Sequence, residues 1–144
     1  MPLPPQKFRE IVFQLVYSQV VSGEEEEIVP FLMAEFKVTR RAVREAKERA
    51  QKILEKLPEI DPLIEKTSTS YSFERISTVE KCILRLSSFE LLFDPTLPHP
   101  VVMAEAVRLG RKFGSPEGAQ FVNAVLDEIY RGIQTPSSPE PLPL

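Results

Sequence analysis

The chain has 144 residues, of which 42% are hydrophobic and 27% charged, with a formal net charge of −3 at pH 7. That length suits one domain, or two small halves sharing a core, and the charge predicts no overall attraction to nucleic acid or membrane, so any such binding needs a local patch. The single cysteine, Cys82, excludes an internal disulfide, and one His with one Cys leaves too few soft ligands for zinc, so no metal or other cofactor is expected.

Residues 1–6 read as a loose, flexible arm without the unbroken apolar segment of a signal peptide. No apolar run approaches the roughly 20 residues needed to span a bilayer, and a cytoplasmic protein is expected. From Lys7 to Val21 the pattern is helical, with Phe8, Ile11, Val12, Leu15 and Val16 as the inward stripe. Its β-branched residues make this helix dependent on packing. Ser22-Gly23 ends it, and the acidic run Glu24–Glu27 suits the positive end of the next helix dipole. That second helix, about Ile28–Val38, carries Phe31, Leu32 and Phe36, with Pro30 in its first turn. Thr39 caps a third helix, Arg40–Leu57, whose stripe is Val43, Ala46, Ala50, Ile53 and Leu57. Its many charges fall at i, i+3 and i+4 spacing and read as a solvated, mutually paired face.

Pro58 is expected to stop that helix, and Asp61-Pro62 to serve as N-cap and first residue of a short one over Leu63–Lys66. Residues 67–72 are polar and turn-like, the expected seam between an N-terminal helical bundle (7–66) and a C-terminal one (67–134). Ser77 and Glu80 form an S-x-x-E capping box for a helix over Ser77–Phe93. There Val79, Cys82, Ile83, Leu86, Phe89 and Phe93 share one arc. Glu90 projects into the middle of that arc and must find donors, because an unpaired buried carboxylate is costly. Asp94–Pro100 is a proline-rich connector to a helix from Pro100 to Phe113, closed by Gly114, with Arg108, Arg111 and Lys112 near its C-terminal end. Ser115-Pro116 then starts the last helix, Glu117–Ile133, with the stripe Val122, Val125, Leu126, Ile129 and Ile133. Residues 135–144, TPSSPEPLPL, are too rich in proline to fold and are expected to be disordered. With no strand pattern, repeat or glycine-rich phosphate loop, the expectation is an all-α protein, two small helical bundles packed into one compact domain.

Catalysis has little to rest on. No motif places Ser, His and Asp together, His99 lies between two prolines in a connector, and Cys82 falls on an apolar arc. Glu90 and Glu105 are candidates for a carboxylate pair and equally for ion-pair partners. For nucleic acid, three pieces stand out. One is the basic face of the third helix. Another is Lys7-Phe8-Arg9 with Tyr17 on the same helix. The last is Phe113-Gly114 followed by Glu117 and Phe121, where aromatics near a helix start can stack on unpaired bases while exposed amides receive a phosphate, or can simply plug the core over the turn.

The stretches REIVFQLVYS, VEKCILRLSSFELLF and VVMAEAVRLGRKFGSPEGAQFVNAVLDEI, in this order between Lys7 and Ile133, resemble the NusB family of bacterial transcription antitermination factors. The resemblance implies a fold of two small helical bundles and no enzymatic activity. It also implies pairing with NusE, a small-subunit ribosomal protein, and binding of the single-stranded boxA element in nascent ribosomal RNA within an RNA polymerase antitermination complex. By that resemblance Lys7, Arg9, Tyr17, Lys81, Arg85, Phe113, Glu117 and Phe121 are the RNA-binding residues. Phe113 and Phe121 would stack on bases, Glu117 accept from base amino groups, and Lys7, Arg9 and Arg85 contact phosphate. Glu80 would face the partner, and Asn123 belongs to the F-V-N signature.

Three features depart from the family pattern, one of them a three-residue stretch. Pro5-Gln6-Lys7 stands where relatives carry arginines, which predicts weaker boxA binding by the protein alone; Ala124 replaces a glycine and Ala104 an asparagine. The net charge and the thinned arm motivate a second reading, a helical adapter that binds protein without RNA. A third is a stand-alone domain like the N-terminal region of ribosomal RNA cytosine methyltransferases. The free protein is read as either a monomer or a homodimer that buries its RNA face.

Overall fold

The structure, a computed structural model, describes residues 3–23, 28–68 and 73–134. The acidic run Glu24–Glu27, most of the polar seam and the proline-rich tail lie outside the described residues. Among those described there are seven helices and no strand, so the fold is all-α.

Helix α1 (Pro5–Val21) begins on two prolines, whose fixed φ and missing N–H suit a helix start. It buries Ile11, Val12, Phe13, Leu15 and Val16. Helix α2 (Ile28–Phe36) is short and buries only Val29 and Leu32. Phe31 is 58% exposed. The chain leaves α2 through Lys37, whose φ of +55° lies in the left-handed region, and the Val38 N–H closes the turn on the Met33 carbonyl. Helix α3 (Arg40–Glu55) is capped by Thr39, whose Oγ1 accepts from the Ala42 N–H at 3.1 Å, and it buries Val43, Ala46, Ala50 and Ile53.

The next stretch corrects the sequence expectation. Helix α3 ends at Glu55, ahead of Pro58 as expected but short of Leu57, and a new helix starts at once around Pro58. Pro58 sits in the first turn of helix α4 (Leu57–Thr67), where no N–H is needed. Pro62 lies inside α4 rather than at the start of a shorter helix. Asp61 is therefore not an N-cap; its carboxylate is free to take a side-chain partner from another helix.

After a single 3-10 turn (Phe73–Arg75), Ser77 caps helix α5 (Thr78–Phe93), its Oγ accepting from the Glu80 N–H at 3.1 Å. Nine consecutive residues of α5, Cys82–Glu90, are buried, so this helix is covered all round. Helices α1, α3 and α4 contact it from one half of the chain, α6 (His99–Phe113) and α7 (Pro116–Gln134) from the other, and one continuous apolar core results. A Cβ built at Gly110 of α6 would come 2.9 Å from the Ala119 Cα, so α6 and α7 cross backbone to backbone there. His99, the first residue of α6, stacks on Tyr130 at 3.7 Å between ring centroids. Ile133 of α7 lies beyond that point and is 42% exposed, not inward as its spacing predicted.

Candidate nucleic-acid interface

The polar residues of the expected site divide into an internal network and two open concave surfaces. Arg9 belongs to the network. Its Nε–H donates to Glu90 at 2.9 Å and its Nη1–H to Glu105 at 3.1 Å, with the Arg9 side chain only 6% exposed. Gln6 also donates to Glu105, as does Arg108, which further donates to Glu10 alongside Lys112. Three cations and three carboxylates thus balance across the seam of α1, α5 and α6. Burial pushes the Glu90 carboxyl above its ordinary value despite the facing Arg9. Burial also acts on Glu10 and Glu105, but there hydrogen bonds from Lys112 and Arg108 to Glu10, and from Arg108 and Gln6 to Glu105, outweigh it and hold both below the ordinary value.

Arg85 is internal too. Its Nε–H and Nη2–H each donate to Asp61 of α4 at 2.9 Å. Phosphate contact by Arg9 and Arg85 requires their guanidinium groups in solvent, and the structure has both committed to carboxylates. Lys81 remains half-exposed, its Nζ 4.5 Å from the centroid of the Phe73 ring, which Arg85 also covers at 5.6 Å. Cys82 is buried, and burial raises its thiol to about 11, so it presents no thiolate.

The first open surface is a groove of about 600 Å³ between the start of α1, the end of α2 and the end of α6, where Lys7 and Phe113 meet, joined by Gln14, Lys37 and Lys112. Phe113 is half-buried and stacks on Phe13 at 4.8 Å, and Phe13 in turn on Tyr17 at 6.0 Å. The inward stripe read from periodicity omits Phe13; its i, i+4 spacing to Tyr17 is the signal that marks it.

The second surface is a cleft of about 250 Å³ between the 3-10 turn and the starts of α5 and α7, where Glu80, Glu117 and Phe121 meet. Arg75 lines it as well, a cation the sequence patterns do not single out. Phe121 is half-buried and Glu117 exposed. The start of α7 offers a phosphate less than its sequence implies. Pro116 has no N–H, and the Gly118 N–H donates to Ser115 Oγ at 2.9 Å. The Glu80 carboxylate lies so close that a Cβ at Gly118 would come 2.6 Å from its Oε2. An acid at that helix start suits the dipole and repels an anion. Phe113 precedes the turn through Gly114 and Ser115 and lines the groove, while Phe121 follows it and lines the cleft. Asn123 is exposed on α7, next to the buried Val122.

Residues 6–131 match the sequence profile of the NusB family. The chain belongs to the NusB family. A relative described as transcription antitermination protein NusB, from Chlamydia pneumoniae, is 36% identical over 128 residues, covering 88% of this chain and 80% of that protein. A solved NusB from T. maritima superposes with a TM-score of 0.76 at 28% identity, covering 91% of this chain and 93% of that one. A crystal structure of the antitermination factors NusB and NusE in complex with dsRNA contains a chain that superposes with a TM-score of 0.75 at 29% identity, covering 88% of this chain and 96% of its own. The NusB likeness thus spans both halves. Among the described residues no helix is long and apolar enough to cross a membrane.

Proposed function

We propose that this NusB-family chain is an RNA-binding transcription antitermination factor. It pairs with NusE and holds the single-stranded boxA element of nascent ribosomal RNA in an RNA polymerase antitermination complex, in the cytoplasm. The observation that carries this reading is the pair of half-buried rings either side of one turn, Phe113 on a groove that Lys7 and Lys37 also line and Phe121 on a cleft that holds Arg75 beside the acids Glu80 and Glu117. Rings so placed offer a face to unpaired bases. With Arg9 and Arg85 turned inward and Lys112 paired with Glu10, phosphate contact falls to Lys7 and Arg75, with Lys81 beside Phe73. Tyr17 supports the Phe113 platform through Phe13, Glu117 accepts from a base, and Glu80, in the first turn of α5 and close against the start of α7, faces NusE.

The test is titration of labelled boxA RNA with this protein, with and without NusE, at two salt concentrations. Binding is expected to weaken with salt and strengthen with NusE. Phe121→Ala is expected to lower affinity about tenfold, the scale of one lost base stack, with helicity unchanged. A folded Phe121→Ala protein that binds boxA like the wild type would overturn the assignment, and equal affinity for duplex RNA would replace single-strand readout with shape recognition. The internal positions of Arg9 and Arg85 favour one competing reading, an adapter that pairs with NusE without RNA; that protein would bind NusE and show no boxA preference in the same titration.

A further inference from the structure

We infer that the junction of α2 and α3, Lys37 with Arg40, Arg41 and Arg44, is a second phosphate-binding surface that receives the RNA backbone beyond the bases held at Phe113 and Phe121. It rests on the RNA-binding reading above and extends it to residues outside that site.

These four cations are exposed, and among the described residues none forms an ion pair, unlike Arg49, Lys56, Arg108, Lys112 and Arg131, which all do. The mutual pairing expected of the α3 face is absent at this end. Their positions also work against folding. Arg40 and Arg41 occupy the first turn of α3, at the positive end of its dipole, with no acidic residue in that turn. Arg44 follows three and four residues later, so like charges share one face. Lys37 is the one non-glycine residue with positive φ among those described, at a helix-ending position that glycine fills without strain. Helix stability explains none of these choices, whereas a polyanionic ligand explains all four.

Continuity selects RNA. Lys37 lines the same groove as Lys7 and Phe113. Arg40 is three residues further on, within about 10 Å along the chain. A strand stacked on Phe113 and leaving across Lys37 therefore arrives at the arginines without crossing an uncharged gap. Glu35 in the groove and Glu45 and Glu48 on α3 temper the field but engage none of the four cations. In a chain of net charge −3, such a local concentration attracts phosphate only at short range.

The experiment titrates the protein–NusE complex with two RNAs, boxA alone and boxA extended by about ten unstructured nucleotides on each side, within the usual span of single-strand sites. The wild type is expected to bind the extended RNA about tenfold more tightly. The variant Arg40→Ala/Arg41→Ala/Arg44→Ala is expected to lose that gain and to lower the slope of log K against log salt by about 2, near 0.7 for each of three phosphates. Its affinity for boxA alone stays within about twofold. Lys37→Gly deletes a cation while relieving the positive φ, so it keeps the test decisive if the triple variant folds poorly; it is expected to lose part of the same gain with an unchanged or higher Tm.

A wild type without preference for the extended RNA, or variants that keep the full preference, would overturn the inference while leaving boxA binding standing. Loss of NusE pairing in the triple variant with its RNA preference intact would make the patch a protein-docking surface and overturn the phosphate assignment. Failure of the wild-type complex to bind either RNA would overturn the RNA-binding reading, and this extension with it.

Discussion

Arg85 and Asp61 are joined in a two-pronged pair, both donor–acceptor distances 2.9 Å, that ties the central helix α5 to α4. The Arg85 side chain is 11% exposed and that of Asp61 27%. This geometry makes Arg85 a structural cation. Arg85→Ala, or Asp61→Ala, is expected to cost about 2 kcal/mol of stability, read as a shift in urea midpoint. Below the melting range, boxA affinity of Arg85→Ala should stay within about threefold of wild type. A tenfold loss in the folded variant would return Arg85 to the contact surface.

The buried acids set opposite pH dependences. Glu10 and Glu105 have folded-state values below the ordinary 4.5, and Asp94 one below its ordinary 3.8. Their stabilisation is present above those ordinary values and lost as pH falls through the folded ones. Glu90 is raised above 4.5, so its contribution has the reverse sign, full below 4.5 and lost as pH rises through its folded value. Urea midpoints from pH 3 to 8 are expected to fall steeply on the acid side. Glu90→Gln should abolish the decline on its upper side while the acid limb persists. An unchanged upper limb in that variant would remove Glu90 as its source.

Two helical glycines should respond to alanine with opposite signs. At Gly110 the new Cβ would meet Ala119 backbone at 2.9 Å, and at Gly132 it would meet nothing within 4 Å. Gly110→Ala is expected to destabilise by about 1–3 kcal/mol through overpacking. Gly132→Ala is expected to stabilise by roughly 0.5–1 kcal/mol from helix propensity. Thermal melts of the two variants check the pair.

Gly118→Ala probes the cleft without the core. Its Cβ would collide with the Glu80 carboxylate, the mobile end of a side chain, so Glu80 is displaced from the start of α7. Stability should change by less than about 1 kcal/mol, clash and propensity offsetting. Affinity for NusE, measured by calorimetry, is expected to drop severalfold. Unchanged NusE affinity would remove Glu80 from the partner-facing surface.

Local signals made the fold legible. The Thr39 and Ser77 caps, the stripe of α3 from Val43 to Ile53, the glycine after Phe113 and the Ser115-Pro116 start all stand where the sequence places them, whereas Leu57, expected at the end of that stripe, opens α4. The sequence misleads at α4 because Asp61-Pro62 carries the local signature of a helix start, while Pro58 already occupies the first turn of a helix that runs on through Pro62. The open positions of Lys7, Phe113 and Phe121 follow from the sequence pattern; those of the arginines do not. Arg9 and Arg85 find partners 81, 96 and 24 residues away, and no short-range pattern reveals that a cation will be claimed from across the molecule. Glu90 announced its need for a donor but not the donor's identity.

Lys7 and Arg9 are two residues apart in the first turns of α1, about 200° of rotation from one another. One faces the groove while the other is bolted inside by carboxylates from α5 and α6. The opening of α1 therefore cannot swivel, and its cation is displayed on a rigid bracket whose angle was fixed during folding. On the proposed RNA-binding reading, a strand would meet a mount already set, and docking there would cost little further loss of backbone freedom.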